Sequence, residues 1–348
     1  MRRPQNNRPG MRAASSPPGV DGVIVGVGAR SASGLTALQV TMSARAHKFA
    51  PRESHLVDKR GENIATARLM TIGDDVFGLD RFVALGGPAL TQAAFPWLAS
   101  WRDHGAAPPL PAVIALPSES RPGFDPRLRR YLLEALEARA RVPLDRARSR
   151  LIFHCRGGGV MAFEHAVNEL LARGCAAVVV GGIDSYFDPD VLEHLDAGFR
   201  LHGAETENGF IPGEGAAFVV LVPRTEARGL ARYGRVLAAV SEGEPRPFGS
   251  EEPCLAYGMT LALKRALAAV SAEARPISWM LTDVANERHR VDEWTTAAAR
   301  AHRGFTADVL HDQPLLKTGD VGAASASMLL AMAATRWRTG CAAGDTAL

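Results

Sequence analysis

Cysteine pairs and long apolar runs are both missing from this sequence, and each absence excludes a class of protein. Only four cysteines occur among 348 residues, and no two of them form a Cys-x-x-Cys pair; they are Cys155, Cys175, Cys254 and Cys341. This spacing argues against a disulfide framework or a zinc site and favours a reducing, cytoplasmic location. No segment reaches the roughly 18 uncharged apolar residues that a membrane-spanning helix requires, so we expect a soluble protein.

A strong charge of either sign is also missing. The chain has 40 Lys and Arg residues against 37 Asp and Glu residues, which gives a net charge of +3. It has no dense basic stripe with interleaved aromatic residues, so nothing indicates nucleic-acid binding. Residues 1–20 are rich in arginine and proline and lack the apolar core of a signal sequence, which predicts a disordered tail.

Short apolar runs alternate with helical segments along the rest of the chain. Strands are predicted at 23–28, 112–116, 151–153, 176–180, 216–222, 236–240, 279–281 and 314–317. Helices are predicted at 34–46, 80–98, 127–139, 160–172, 255–270, 293–301 and 325–337. This alternation predicts mostly parallel sheets covered by helices, and it repeats after an Arg-rich connection. We therefore expect two halves, residues 21–228 and 229–348.

The glycines that end the first strand suggest a dinucleotide fingerprint, but the pattern is incomplete. Gly26 and Gly28 are followed by Ser31 instead of a third glycine, and no matching acidic residue follows a second strand. The sequence therefore predicts no dinucleotide site. It also predicts no other cofactor and no metal ion.

Five fragments spread over the chain carry a resemblance to a known family. They are 23–28 with Ser33-Gly34, Asp80-Arg81-Phe82, Gly181-Gly182-Ile183-Asp184-Ser185, Gly209-Phe210-Ile211-Pro212-Gly213-Glu214-Gly215-Ala216, and Gly319-Asp320-Val321-Gly322-Ala323-Ala324. In this order they resemble the β-ketoacyl synthases of the thiolase superfamily. The resemblance implies an α/β fold, a five-layer α-β-α-β-α sandwich of two similar βαβαβαββ-type halves. The sequence stops about where the family's final hairpin begins, so we expect that hairpin to be lost or cut off.

Seven residues of these fragments have a structural interpretation in addition to the family one. Glycines allow tight turns and close helix packing, and a glutamate can bind loop amides without taking part in chemistry. The seven residues are Gly181, Gly182, Gly213, Glu214, Gly215, Gly319 and Gly322.

In the family, a cysteine at a sharp turn from strand to helix accepts the acyl group, and the helix N-terminus lowers the pKa of its thiol. Cys155 occupies that place, with His154 beside it as a candidate base. Counting back from Gly174 in the family's register, however, puts Gly157 at the nucleophile position. Cys155 is therefore either the acyl-accepting nucleophile or a small residue beside a glycine turn.

Both positions that carry histidine in the family carry aspartate here. The family's Gly-His motif reads Gly319-Asp320, and Asp283 lies nearest the other position, while we expect His289 on an exposed loop. A histidine donates a hydrogen bond to a developing enolate, whereas an ionised carboxylate only accepts one. Facing one pocket, the two aspartates would repel a malonyl carboxylate or share a proton with one pKa raised. We therefore do not expect decarboxylative condensation by the usual route.

Three functions are compatible with these residues. The first is a degenerate ketosynthase-like protein that serves as a non-catalytic partner or scaffold, as chain-length-factor subunits do beside active synthases. The second is an acyltransferase of the 3-oxoacyl-[acyl-carrier-protein] synthase type that uses Cys155. The third is an adaptor unrelated to acyl chemistry. The resemblance implies a homodimer, or a heterodimer with a ketosynthase-like subunit, and an acyl carrier protein as a further partner, without nucleic acid or membrane.

Overall fold

The computed structural model describes residues 22–203, 206–271 and 276–348, so the predicted tail at 1–20 lies outside the described residues. The strands are β1 Gly22–Ser31, β2 Arg52–Val57, β3 Asn63–Thr66, β4 Ala112–Leu116, β5 Arg150–Phe153, β6 Val178–Ser185, β7 Glu214–Pro223, β8 Gly234–Val236, β9 Ile277–Leu281 and β10 Phe305–Asp312. The helices are α1 Ala37–Arg45, α2 Gly78–Ser100, α3 Arg127–Ala140, α4 Gly157–His165, α5 Pro189–Ala197, α6 Tyr257–Ser271, α7 Arg288–Arg300, α8 Leu315–Thr318 and α9 Ser325–Arg338.

The larger sheet has six strands in the order β5-β4-β6-β7-β1-β8. The β5-β4-β6 strands are parallel, and the remaining neighbours pair antiparallel. Successive residues of β1 are buried on opposite faces, because side chains alternate along a strand. Val23 and Val25 pack with helices α2 and α3, whereas Ile24 and Val27 pack with α1, α4 and α9. The apolar run predicted at 23–28 is therefore a strand covered on both faces.

Strands β2 and β3 form a separate antiparallel pair, and the sheet that we call the smaller sheet consists of the parallel strands β9 and β10. Ile277 and Met280 pack with Trp294 of α7 and with α6 on its outer face. Trp279 meets Trp337 of α9 edge-on, with ring centroids 5.8 Å apart, so this sheet also contacts α9. The layers are thus helices, large sheet, helices, small sheet and helices, which is the expected five-layer α-β-α-β-α thiolase-like arrangement.

The two halves are less similar than the sequence pattern indicated. Among the described residues the second sheet has only two strands, and β8 pairs with β1 in the first sheet, although it follows the expected boundary at 228/229. The strand predicted at 314–317 is wrong, because Pro314 leads into the single helical turn α8. Strand β10 precedes it instead, and the sequence did not indicate it because its side chains are mostly polar or partly exposed.

Two glycines of β1 lie against helix α2. A Cβ atom at Gly26 or Gly28 would come within 2.0 Å of the carbonyl oxygens of Ala93 and Ala89, respectively. These glycines therefore allow strand and helix to approach closely, which accounts for them without a bound phosphate. Across the parts of the chain that the structure describes, no helix combines the length and apolar character needed to cross a membrane.

Candidate active site

The turn between β5 and α4 presents Cys155. Its thiol is free and exposed, and its φ of 46° lies in the left-handed region that few residues other than glycine adopt. The backbone N–H of Ser118 donates a hydrogen bond to Cys155 Sγ at 3.4 Å. The structure therefore places Cys155 at the tip of a sharp strand-to-helix turn, and Gly157, the alternative nucleophile position, is the first residue of α4.

His154 lies on the same turn and is also exposed. Its backbone N–H donates to the carbonyl oxygen of Leu116 at 3.2 Å, which continues the pairing of β5 with β4. Among the described hydrogen bonds, none joins the His154 ring to the Cys155 thiol. The structure thus gives His154 a backbone contact and does not show it as a base for Cys155.

Asp283 and Asp320, which the resemblance put nearest the family's histidine positions, meet around two arginines. The Asp320 side chain is only 2% exposed, and its Oδ2 accepts hydrogen bonds from Arg156 and from Arg290, the latter at 2.8 Å. Its Oδ1 accepts from the backbone N–H of Gly322 at 2.8 Å. Asp283 Oδ2 lies 3.3 Å from Arg290 Nη2 and 3.8 Å from Arg156 Nε. Asp283 and Asp320 therefore do face one site, as the resemblance implied.

The charges around Asp320 decide its protonation state. Burial alone would favour the neutral acid, but the guanidinium groups of Arg156 and Arg290 outweigh it and hold the pKa of Asp320 well below its usual range. The expectation that the two aspartates share a proton is therefore wrong for Asp320, because the intervening arginines neutralise the repulsion. At neutral pH its carboxylate is ionised and has hydrogen bonds on both oxygens.

The pairing continues toward the surface through two more side chains. Glu287 lies 3.7 Å from Arg290 and accepts hydrogen bonds from Arg200 at 2.8 and 3.1 Å. We call the whole group the arginine–carboxylate network, and its members are Arg156, Arg200, Arg290, Asp283, Glu287 and Asp320. It contains three positive and three negative groups, so its net charge is zero. Such a network neutralises its own charges and presents no uncompensated cation to an anionic substrate.

The arginines of this network escaped sequence reasoning, although two signals were available. Arg156 directly follows Cys155, and Arg290 follows Asp283 by seven residues. His289 was predicted on an exposed loop, but it lies in the first turn of α7 and is partly buried. Its ring stacks on Phe248 with centroids 3.8 Å apart, and burial lowers the pKa of the imidazole. Within the described residues, no hydrogen bond or ion pair joins His289 to Asp283 or Asp320.

Glu214 forms a separate ion pair in the core. Its carboxylate accepts hydrogen bonds from Arg81 Nη2 at 2.8 Å, from the Leu69 backbone N–H at 2.7 Å and from Ser185 Oγ at 2.7 Å. Arg81 and Glu214 are 1% and 0% exposed. Two fragments of the resemblance, Asp80-Arg81-Phe82 and Gly213-Glu214-Gly215, therefore meet in a structural contact that does not reach solvent.

Apart from Gly215, the motif glycines lie where other atoms leave no room for a side chain. Gly319 and Gly322 have φ values of 83° and 51°, and a Cβ atom at Gly322 would lie 2.1 Å from Asp184 Oδ2. At the other motif glycines, a Cβ atom would lie nearest to Phe218 Cδ1 for Gly181 and to a backbone carbonyl oxygen in the remaining cases. These oxygens belong to Ala323 for Gly182, Asp320 for Gly213 and Arg30 for Gly215. Close packing therefore accounts for these glycines except Gly215, where a Cβ atom would lie 3.0 Å from its nearest neighbours.

Comparisons with known proteins agree with this architecture. Residues 155–227 match the profile of the β-ketoacyl synthase N-terminal domain. A Streptomyces coelicolor protein named as an actinorhodin polyketide β-ketoacyl synthase 2 is 31% identical over 160 residues, which cover 42% of this chain and 37% of that protein. The chain thus spans well under two thirds of that relative.

Solved structures extend the similarity over nearly the whole chain. The oxazolomycin ketosynthase domain OzmH KS7 of Streptomyces albus JA3453 superposes with a TM-score of 0.70 at 15% identity, covering 92% of this chain and 63% of that domain. The ishigamide ketosynthase/chain length factor superposes with a TM-score of 0.59 at 18% identity, covering 91% of each chain. At these identities the superpositions establish the fold alone.

Proposed function

Because the chain is a β-ketoacyl synthase-like protein of the thiolase superfamily, we propose that it is a non-catalytic partner or scaffold of an active ketosynthase. The observation that carries this proposal is the pairing of Asp320 with Arg156 and Arg290. Condensation requires hydrogen-bond donors for the developing enolate, and losing one such donor typically costs about 100–1000-fold in rate. An ionised carboxylate in that place supplies no donor.

The arginines do not replace the missing donors in this proposal. Arg156 and Arg290 direct their N–H groups at Asp320, and Arg200 directs its own at Glu287. A substrate enolate would have to compete with these carboxylates for each guanidinium, and separating a buried ion pair is costly. The network therefore favours a structural role for the site over a role in decarboxylation.

The proposed partner is a ketosynthase-like subunit, with an acyl carrier protein as a further partner of the assembly. The similarity to the ishigamide ketosynthase/chain length factor supports this choice, because it covers 91% of both chains. A heterodimer or homodimer belongs to the same proposal. Such a protein would contribute surface and shape to an assembly whose chemistry takes place in the partner.

A second function, acyl transfer through Cys155, is favoured by the turn between β5 and α4. The thiol is exposed, and it lies two residues before the first residue of helix α4. In this reaction Cys155 Sγ attacks the thioester carbonyl, a new thioester forms on Cys155, and the donor's thiol leaves and takes up a proton. The product would be an acylated protein.

Intact-mass measurement after incubation with short and long acyl thioesters separates the two functions. The scaffold proposal predicts no adduct on the folded protein. Cys155→Ala and Cys254→Ala are matched variants, because each removes one exposed thiol. An adduct that forms in wild type and Cys254→Ala but disappears in Cys155→Ala would overturn the scaffold proposal and establish acyl transfer. An adduct that disappears only in Cys254→Ala would be chemical labelling at an exposed thiol and would leave the scaffold proposal supported.

A further inference from the structure

A cluster of three potential metal ligands lies apart from the arginine–carboxylate network. Glu244 and Cys254 come from the connection between β8 and α6, and Glu293 comes from α7. One carboxylate oxygen of each glutamate and the Cys254 Sγ all lie within 4.8 Å of one another. An ion bound at about 2.0–2.3 Å from each ligand spans roughly this separation, so small side-chain movements suffice to enclose it.

Glu293 is the unusual member of this cluster. It is partly buried, and within the described residues it has neither a hydrogen bond nor an ion pair. Arg290, one turn earlier on α7, is engaged by Asp320. Among the residues that the structure describes, no side-chain cation forms an ion pair with Glu244 or Glu293, and the two carboxylates converge on the Cys254 thiol.

Glu244 is already held in position for such a role. Its Oε2 accepts a hydrogen bond from the backbone N–H of Gly258 at 2.8 Å, in the first turn of α6. A carboxylate offers about four lone-pair sites, so this bond leaves others for an ion. The connection also packs tightly against α6, because a Cβ atom at Gly258 would lie 2.8 Å from backbone atoms of Gly243 and Glu244. One ligand is thus fixed before any ion arrives.

We propose that Glu244, Cys254 and Glu293 form a binding site for a thiophilic divalent cation such as Zn²⁺. Ca²⁺ and Mg²⁺ prefer ligand sets made only of oxygen, whereas Zn²⁺ accepts thiolate and carboxylate together. Three protein ligands leave a fourth tetrahedral position for water or another donor. The ion would fasten the connection before α6 to helix α7. The cysteine spacing gave no indication of such a site, because its ligands lie far apart in the sequence.

Titration of the chelator-treated full-length protein with Co²⁺ tests this site. Co²⁺ stands in for Zn²⁺, and its ultraviolet charge-transfer absorption reports thiolate ligation. We expect one equivalent to bind with this absorption, and Zn²⁺ to displace it. Cys254→Ser should abolish the band, whereas Cys341→Ser, which alters a thiol outside the cluster, should leave it unchanged. Glu293→Gln should weaken binding by at least about tenfold, since even outer partners of metal ligands have effects of that size.

Three results would overturn the proposal. The first is absence of the charge-transfer band in the wild-type protein, and the second is its persistence in Cys254→Ser. The third is equal affinity for Co²⁺ in Glu293→Gln and in the control variant Glu251→Gln, which changes an exposed glutamate of the same connection. Circular dichroism spectra of all variants establish that they fold. The readout does not involve thioesters or a protein partner, so it stands or fails independently of the scaffold proposal.

Discussion

Two arginine–carboxylate groups in this protein use the same chemistry in different surroundings. The Arg81–Glu214 pair is enclosed, and both oxygens of Glu214 have partners. The arginine–carboxylate network is partly open, because the side chains of Arg156 and Asp283 are 25% and 33% exposed, and within the described residues Arg156 Nε has no hydrogen-bond acceptor. The enclosed pair is therefore shielded from solvent on all sides, whereas the open network is only partly shielded.

Breaking the enclosed pair should have the largest effect on stability. Glu214→Gln leaves the buried Arg81 charge without its counter-ion, and removing one partner of a buried pair typically costs about 3–5 kcal/mol. The free energy of unfolding from urea denaturation measures this loss. Asp80→Asn is a matched control, because Asp80 lies next to Arg81 in the first turn of α2. Its ion pair with Arg127 is exposed and should contribute less than about 1 kcal/mol to the free energy of unfolding. Equal losses in the two variants would contradict the structural role of Glu214.

Asp320→Asn should have an intermediate effect. Arg156 and Arg290 lose a hydrogen-bonded charge but keep Asp283 nearby, so we expect a loss of roughly 1.5–3 kcal/mol. Because the pKa of Asp320 is lowered by folding, its stabilisation is present above the unfolded-state pKa of about 3.9 and disappears as pH falls through the lower folded-state value.

Urea denaturation of wild type and Asp320→Asn from neutral to acidic pH checks whether folding lowers the pKa of Asp320. The difference in unfolding free energy should be constant near neutrality and should begin to shrink as pH falls to the unfolded-state pKa of about 3.9, to the extent that the protein stays folded there. A difference that grows on acidification would show that folding raises the pKa of Asp320 instead.

Asp283→Asn should have the smallest effect of the three. Its carboxylate is one third exposed, and its distances of 3.3 and 3.8 Å from the guanidinium groups are longer than those of Asp320. Partly solvated pairs typically contribute about 1 kcal/mol or less. A double-mutant cycle that combines Asp283→Asn with Asp320→Asn measures the coupling energy between the two side chains. An equal loss of unfolding free energy in the two single variants would contradict the prediction that Asp283 contributes less than Asp320.

The sequence predicted those strands of the larger sheet that are covered on both sides, whereas the strand predicted at 236–240 overlaps β8 only at Val236. Strand β4 was predicted with the bounds it has, since Ala112–Leu116 is apolar throughout and fully buried. Helix α3 was predicted to within one residue, because Leu128, Leu132 and Leu136 recur at helical spacing. Strand β10 was missed, because a strand near the surface in a two-stranded sheet needs no continuous apolar run.

The site was only partly predictable for a different reason. The resemblance located Asp283 and Asp320 at two positions that the fold brings together, and the structure shows that they share their arginine neighbours. The arginines were not identified despite their nearness in sequence to Cys155 and Asp283, because arginine is common throughout this chain and its partner depends on tertiary contacts. The same holds for Glu244, Cys254 and Glu293, which are far apart in the sequence and come together only after folding.

The difference in size between the six-stranded sheet and the β9–β10 sheet affects which region unfolds locally first. A two-stranded sheet is marginal by itself, whereas six strands packed between helices are not. Local opening free energies differ across a protein in this way, so amides of β9 and β10 should exchange with solvent before those of β4 and β6. The network joins these regions, since Arg156 lies beside the large sheet while Asp283 and Arg290 follow β9. It is therefore a determinant of whether the two layers open as one cooperative unit or separately.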